Sequence, residues 1–218
     1  LGPQGARIQT SRYSVDLFQG PILASSRITA LAGAYTAIAE GAEGVFFNPA
    51  AASFRPPYST TRDDYDLTAG YTLPASVTGT DFDNNGTVGF TYDRFIWLTF
   101  GGLLQHERLG FGINVAFQNY DLGAPGTPVP LPNSPEVIAR VTARLLRLEP
   151  VVSYGFLNDQ LHLGAGLRFS GFYLVGTSGD DVATERLLIS SNTAGLQVGA
   201  LWAPHHLPLR LGGALRSP

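Results

Sequence analysis

The sequence predicts an all-β protein whose antiparallel strands form a transmembrane β-barrel, with a small helical segment at the N-terminus. Only 14% of the 218 residues are charged, whereas 44% are hydrophobic. A typical soluble domain has about 25% charged residues. Long segments alternate large apolar residues with small or polar ones, yet no run of about 18 apolar residues is present. A transmembrane helix is therefore not supported, and only a closed barrel would satisfy the backbone of such a chain in lipid.

The alternation that indicates strands is clearest in 109–121, where Leu109, Phe111 and Ile113 are separated by glycine residues. A period of two residues is that of a β-strand. The proline-rich segment 123–136 separates the strands in the middle of the chain and is expected to be a long loop. The other predicted strands are 65–73, 87–104, 138–157, 160–175, 185–192 continuing into 193–202, and 207–216.

A barrel is favoured over a soluble sandwich because the face opposite the leucines carries Gly, Ala, Ser, Asn, Gln and isolated Arg. Such a face is too poor in charge for a surface in water but suits the inside of a barrel. The strands are also longer than the ~5–6 residues of a typical strand. We count about seven strands over 61–218, whereas bacterial barrels have an even number from about 8 upward. We therefore expect an incomplete barrel, its N-terminal portion.

Residues 1–60 form the predicted plug, or hatch, with short helices. The segment 25–40 has an apolar stripe at helical spacing, a serine at its start and Gly41 after its end. It would be either a core helix or a plug inside a barrel. A second short helix is expected over 49–54, because Asn48 suits the N-cap and Pro49 suits the first helical position.

The N-terminal segment also resembles a known family. Arg27–Glu40, followed by Val45-Phe46-Phe47-Asn48-Pro49-Ala50-Ala51, is similar to the hatch of the FadL/TodX-like outer-membrane transporters of hydrophobic compounds. PorV-like outer-membrane proteins are related to them. The segment 209–218 resembles a mid-barrel strand of that superfamily, whose barrels have roughly fourteen strands, within the general range. The resemblance implies a barrel plugged by its own N-terminus, in which Asn48, Pro49 and Ala50 form a structural hatch motif.

Two functions follow from the resemblance as expectations. The first is a non-enzymatic barrel of the bacterial outer membrane that binds or passes small hydrophobic compounds through a hatch-plugged lumen. The alternative is a non-transporting PorV-like barrel, which serves as a protein partner in a secretion, motility or surface-attachment assembly. Membrane lipid is an expected partner of both, and the net charge of −3 does not suggest a nucleic-acid binder.

Several charged residues are candidates for polar contacts inside the lumen. They would form a latch between hatch and wall, or recognise an anionic head group, or contribute ordinary lumen polarity. The candidates are Glu40, Arg147, Glu149, Arg168 and Arg210, together with Glu43 and Arg216.

A calcium site is a weaker candidate. Asp81, Asp83 and Asn85 have the spacing of the first half of a calcium loop, with Gly86 at its sixth position. The bidentate glutamate of such loops is missing, because Tyr92 stands in its place. A simple Asn-Gly turn between strands is the preferred interpretation, and no other cofactor is expected.

No catalytic group stands out, so we expect no enzyme. His162, His205 and His206 lack a carboxylate at metal-ligand spacing and are expected to be solvated turn residues. Ser153 lacks the glycine frame of a hydrolase nucleophile. A hydrolase would need a Ser/His pair on neighbouring strands, and the sequence indicates none.

Overall fold

The computed structural model describes residues 28, 31, 34–55, 59, 61–72, 96–121, 129–130, 137–138, 140–177 and 185–217. The candidate calcium ligands Asp81, Asp83 and Asn85 lie outside these ranges. Most of the predicted loop 123–136 also lies outside them.

The fold is an antiparallel β-sheet, which confirms the predicted all-β class. In the part of the chain that the structure describes, seven strands lie side by side in one sheet, and two short strands form a separate pair. The long strands are β1 (Asp63–Thr72), β2 (Ile96–His106), β3 (Leu109–Asp121), β6 (Arg140–Phe156), β7 (Leu161–Thr177), β8 (Arg186–Trp202) and β9 (Leu211–Arg216); the short ones are β4 (Val129–Pro130) and β5 (Val137–Ile138). Over the described residues, the sheet has the order β1-β2-β3-β6-β7-β8-β9, so β1 and β9 are its outer strands.

Within the described residues, most strand limits lie within two residues of the predicted ones, and the larger differences are at the last strand and in the middle of the chain. The last strand begins at Leu211 instead of residue 207, and Pro208 provides a reason because it has no N–H to donate to a neighbouring strand. The predicted loop 123–136 contains β4, which pairs with β5 just after the loop. The segments 185–192 and 193–202 join into the single strand β8.

The predicted helix over 25–40 is wrong for residues 34–40, which are not helical and contain a turn at 36–38. Backbone bonds such as Ile38 N to Tyr35 O, 3.1 Å, close single turns that do not continue as a helix. The α-helix α1 (Gly41–Val45) begins where the predicted helix was expected to end. A run of small residues gives a helix little side-chain packing, and here the backbone of Thr36 and Ala37 lies directly against Gly212 of β9.

Short turns lie at one end of the sheet, which we call the turn end. Glu107 and Arg108 connect β2 to β3 there, and Leu157–Gln160 connects β6 to β7. Leu157, Asn158 and Asp159 have positive φ values of 51°, 55° and 61°. The connections β1–β2 and β3–β6 are much longer, and the strand ends that they join lie at the opposite end of the sheet, the loop end.

The two faces of the sheet differ sharply in polarity. Residues 34–55, which we call the N-terminal segment, pack on one face, the covered face, through contacts of α1 and the following 3₁₀ helix with β2, β3 and β6. Buried polar residues occupy that face, including Gln105, Asn114 and Gln197. Large apolar side chains point the other way and are exposed: Phe111 is 50% exposed and Leu196 is 63% exposed. The open face is therefore far more apolar than the exposed face of a sheet in a soluble protein.

The exposed apolar residues form a band of nearly constant height on the open face. Every open-face residue is apolar over nine residues of β3, β7 and β8, and over eleven residues of β6. These stretches are Leu109–Phe117, Leu161–Phe169, Ala194–Trp202 and Leu146–Phe156. The strand register aligns the limits of the band, since Leu109 lies opposite Tyr154 and Phe117 opposite Leu146.

The polarity of the sheet reverses between the band and the loop end. On the open face, Arg144 donates to Glu185 at 2.8 Å and to Asn119 at 3.3 Å. The Arg144 guanidinium holds the pKa of the Glu185 carboxyl below its usual range. On the covered face, apolar side chains are now the buried ones, including Trp97, Leu145 and Leu174. The loop end is therefore polar outside and apolar inside.

Candidate functional site: the contact between the N-terminal segment and the sheet

Asn48 is the centre of the contact between the N-terminal segment and the sheet. It caps the 3₁₀ helix Pro49–Ser53, since its side-chain oxygen accepts from Ala50 N at 3.0 Å. Its amide nitrogen donates to Thr36 O at 3.1 Å and to Ala200 O of β8 at 3.0 Å. Asn48 is fully buried. One side chain thus caps the helix, ties the N-terminal segment to itself and fixes it to the sheet.

Small residues on the covered face allow the backbone of the 3₁₀ helix to approach the strands. A Cβ atom on Gly164 would lie 2.5 Å from Ala50 N, and one on Gly110 would lie 2.6 Å from Ser53 N. A Cβ on Gly199 would lie 2.8 Å from Pro49 Cδ and even closer to the Asn48 side chain. Real Cβ contacts are not this short, so the close packing requires glycine at these positions.

The register of the strands places these small residues in one row. Gly110 lies opposite Ser153, Ser153 opposite Gly164, and Gly164 opposite Gly199. The row, which we call the small-residue row, therefore crosses β3, β6, β7 and β8 and continues at Ala214 of β9. It forms a shallow groove in which the 3₁₀ helix lies.

Side chains of β1 and β2 hold the other side of the N-terminal segment. Gln105 donates to Ala52 O at 2.8 Å and to Phe54 O at 3.2 Å. The Asp66 carboxylate accepts from Ala42 N at 2.8 Å, at the start of α1. The backbone at this start is left-handed at Gly41, where φ is +66°. A free N–H at a helix start is thereby satisfied by the sheet.

Two arginines near β9 bind backbone carbonyls of the N-terminal segment. Arg210 donates to Ala39 O and Arg216 donates to Phe46 O. Arg210 also lies 3.9 Å from the Glu40 carboxylate, and its guanidinium is 3.9 Å from the centre of the Phe54 ring. The structure therefore brings together Arg210 and Glu40, two of the residues singled out in the sequence.

The other predicted lumen residues lie further toward the loop end on the covered face. Arg168 donates to Glu149 at 3.0 Å, and Glu149 is 4% exposed. Arg147 is half-buried on the same strand as Glu149. Arg216 interacts electrostatically with all three. These residues share one face, as the sequence predicts, but the Glu149–Arg168 pair lies within the sheet instead of joining it to the N-terminal segment.

The structure corrects the prediction for His162, which is not a solvated turn residue. It is 1% exposed, and its Nδ1 lies 2.9 Å from Oγ of Ser53, which is also buried. His205 and His206 are exposed, as predicted. The sequence did not indicate the pair because Ser53 and His162 are 109 residues apart. The alternation did contain a signal, since it places His162 on the polar face.

The arrangement fixes the N-terminal segment firmly to the sheet. Ser53 and His162 are enclosed between the 3₁₀ helix and β7, with no exposed surface at which a substrate could bind. Within the described ranges, no group of three or more His, Asp or Glu side chains is placed to bind a metal ion. No helix in that part of the chain has the length and hydrophobicity needed to cross a bilayer.

Comparison with known proteins does not identify a relative: no family model, curated protein or solved structure matches the chain.

Proposed function

We propose that the chain is the wall of a bacterial outer-membrane β-barrel, plugged by its own N-terminal segment, which binds or passes small hydrophobic compounds. The observation that carries the membrane part of this proposal is the apolar band on the open face. The resemblance of residues 27–51 to the FadL/TodX-like hatch supports the ligand class.

The height of the band suits a bilayer. Nine residues of strand extend about 30 Å, which a tilt of about 40° reduces to about 23 Å. Outer-membrane barrels have an apolar band of about 25 Å. In water, an exposed apolar surface that continues across several strands would promote aggregation. In lipid, the same surface is stable, and the polar residues beyond the band would lie among head groups and water.

Closure of the sheet into a barrel is part of the proposal. The outer strands β1 and β9 have backbone N–H and C=O groups directed away from the sheet, and lipid cannot hydrogen-bond to them. Pairing of both strands within a closed barrel would remove these open edges.

The covered face near the loop end supports a hydrophobic ligand. Trp97, Leu145 and Leu174 are apolar and buried there, beyond the level at which the N-terminal segment packs. Arg147 and Ser170 follow toward the turn end. A compound that enters from the loop end would therefore meet apolar side chains first and polar ones next, above the plug.

The second candidate, a PorV-like protein partner without transport, is supported by a different observation. Asn48 is fully buried and bonded to both the N-terminal segment and β8. Over the part of the chain that the structure describes, no gap lies beside it through which a ligand could pass. A plug held in this way suits a barrel that supports an assembly as well as it suits a transporter.

The two tryptophans allow a direct test of ligand binding. Trp97 lies on the covered face, whereas Trp202 lies on the open face. The variant Trp202→Phe, in detergent micelles, is titrated with 1-bromododecane, whose bromine quenches nearby indoles. Saturable quenching of Trp97 is the expected result.

The matched variant Trp97→Phe reports simple partitioning into the micelle through Trp202. If Trp97 is quenched no more than Trp202, and without saturation, the ligand-binding proposal is wrong. Purification of the native protein in a stable complex with other outer-membrane proteins would then favour the second candidate.

A further inference from the structure

Ser53 and His162 form a buried polar contact between the N-terminal segment and the sheet. Ser53 is the last residue of the 3₁₀ helix, and His162 is the second residue of β7. Their exposed fractions are 2% and 1%. The Phe54 ring covers the imidazole from the side, with 5.1 Å between ring centres.

The hydrogen bonds determine which imidazole nitrogen carries the proton. His162 Nε2 lies 3.0 Å from the carbonyl oxygen of Asp159, which can only accept, so Nε2 carries the proton in the neutral ring. Nδ1 is then an acceptor and receives the Ser53 hydroxyl at 2.9 Å. The neutral imidazole is thereby satisfied on both sides, and no water is needed.

The surroundings of His162 do not favour a second proton. On the neighbouring strands β6 and β8, the residues opposite His162 are Gly155 and Leu201, which are uncharged. The charged groups that act on the ring are Asp159 and Arg210. The Asp159 carboxylate is shared with Arg108, 3.7 Å away.

Protonation of His162 would therefore place a positive charge on a ring that has no contact with solvent. Arg210, stacked on the same Phe54 ring, adds a like charge on one side, while the shared Asp159 carboxylate offers only partial compensation. Burial of a charge without a dedicated partner is costly, so the protein would lower this cost by separating the 3₁₀ helix from β7.

We propose that the Ser53–His162 contact is a pH-sensitive latch, which holds the plug against the sheet while His162 is neutral and releases it when His162 is protonated. The latch opens the contact on the β7 side first. Asn48, whose amide does not titrate, retains its bonds to Thr36 O and Ala200 O.

Hydrogen exchange of the folded full chain tests the latch, measured as protection factors corrected for the pH dependence of intrinsic exchange. The reporting amides are those of residues 50–54, and the β3–β6 ladder is the internal reference. An ordinary imidazole titrates near pH 6.5, so a ring that stays neutral when buried allows a loss of up to about thirtyfold at pH 5.0. We expect a loss of about ten- to thirtyfold between pH 7.5 and pH 5.0, with the reference unchanged.

Histidine variants identify the responsible group. The chain has four histidines, and His106, His205 and His206 are exposed. In His162→Gln the protection should no longer depend on pH, whereas His106→Gln should behave as the unaltered protein. Ser53→Ala retains the imidazole and should lower protection at pH 7.5.

Two results would overturn the latch. One is equal protection at both pH values in the unaltered protein. The other is the same loss at pH 5.0 in His162→Gln, which would assign the effect to carboxylates. If His162→Gln does not fold, a triple variant that replaces the other three histidines with Gln takes its place. We expect this variant to retain the pH effect. Loss of the pH effect in it would contradict the proposal.

Discussion

At the scale of single residues, the contact between the N-terminal segment and the sheet depends on strand positions without a side chain as much as on the side chains that form bonds. Asn48 donates to Ala200 O only because Gly199, its neighbour, has no side chain. The sequence indicates the cap formed by Asn48 and Pro49, since it is local. It does not indicate that Gly199 lies against Asn48, because this depends on the pairing of strands about 150 residues further along the chain.

Replacement of Gly199 by alanine should therefore weaken the contact between the N-terminal segment and the sheet. The added methyl group would overlap Asn48 and lie 2.8 Å from Pro49 Cδ. We expect a loss of about 1–3 kcal/mol in the free energy of unfolding, typical of an overpacked site. Denaturant titration in micelles measures it. Gly213→Ala is the matched control, because no atom lies within 4 Å of a Cβ there. An equal effect of both substitutions would contradict the close-packing account.

Asn48→Asp separates the two roles of Asn48. Aspartate also caps helices, so the bond from Ala50 N is retained. The two donated bonds, to Thr36 O and Ala200 O, are lost, and a charge is buried. We expect destabilisation by about 2–5 kcal/mol, measured in the same titration. Asn192→Asp should have almost no effect, because Asn192 is exposed and accepts from Tyr173. A tolerated Asn48→Asp would mean that the cap alone matters.

At the scale of elements, the strands were predictable and the N-terminal segment was less so. Alternation with a period of two predicts β3 and β7 close to their observed limits. Successive side chains of a strand point to opposite faces, so the pattern continues along the whole strand. The stripe in 25–40 has helical spacing too, but residues 34–40 are not helical. Their alanines favour a helix, so their positions are decided by contact with a sheet that sequence spacing does not describe.

The band on the open face makes a prediction for single strands. Ile113 lies at the centre of the β3 stretch Leu109–Phe117. Ile113→Arg should destabilise the protein in phospholipid vesicles by about 2–4 kcal/mol, and Ser190→Arg, on the open face of β8 beyond the band, by only about 0–1 kcal/mol. Equilibrium refolding into vesicles measures both. Equal effects of the two arginines would show that Ile113 does not face lipid.

At the scale of the whole molecule, the polarity of the sheet changes once along the strands. In the band, the open face is apolar and the covered face combines small, polar and apolar side chains; near the loop end, Arg144 and Glu185 are outside and Trp97 and Leu174 are inside. A single environment would not favour both arrangements. The proposed bilayer around the band would favour the first arrangement, and water around the loop end would favour the second. The sequence predicts the first arrangement, but the second needed the paired register of β6 and β7.

The most direct test of this account is a spin-label scan of the open face in phospholipid vesicles. The chain has no cysteine, so single cysteines at Leu163, Leu167 and Ser190 each carry one nitroxide, with Ser170 on the covered face for comparison. Power saturation compares collisions with oxygen, which concentrates in lipid, and with a nickel chelate, which stays in water. We expect high oxygen and low nickel accessibility at Leu163 and Leu167, and the reverse at Ser190. Nickel accessibility at Leu163 and Leu167 as high as at Ser190 would contradict it.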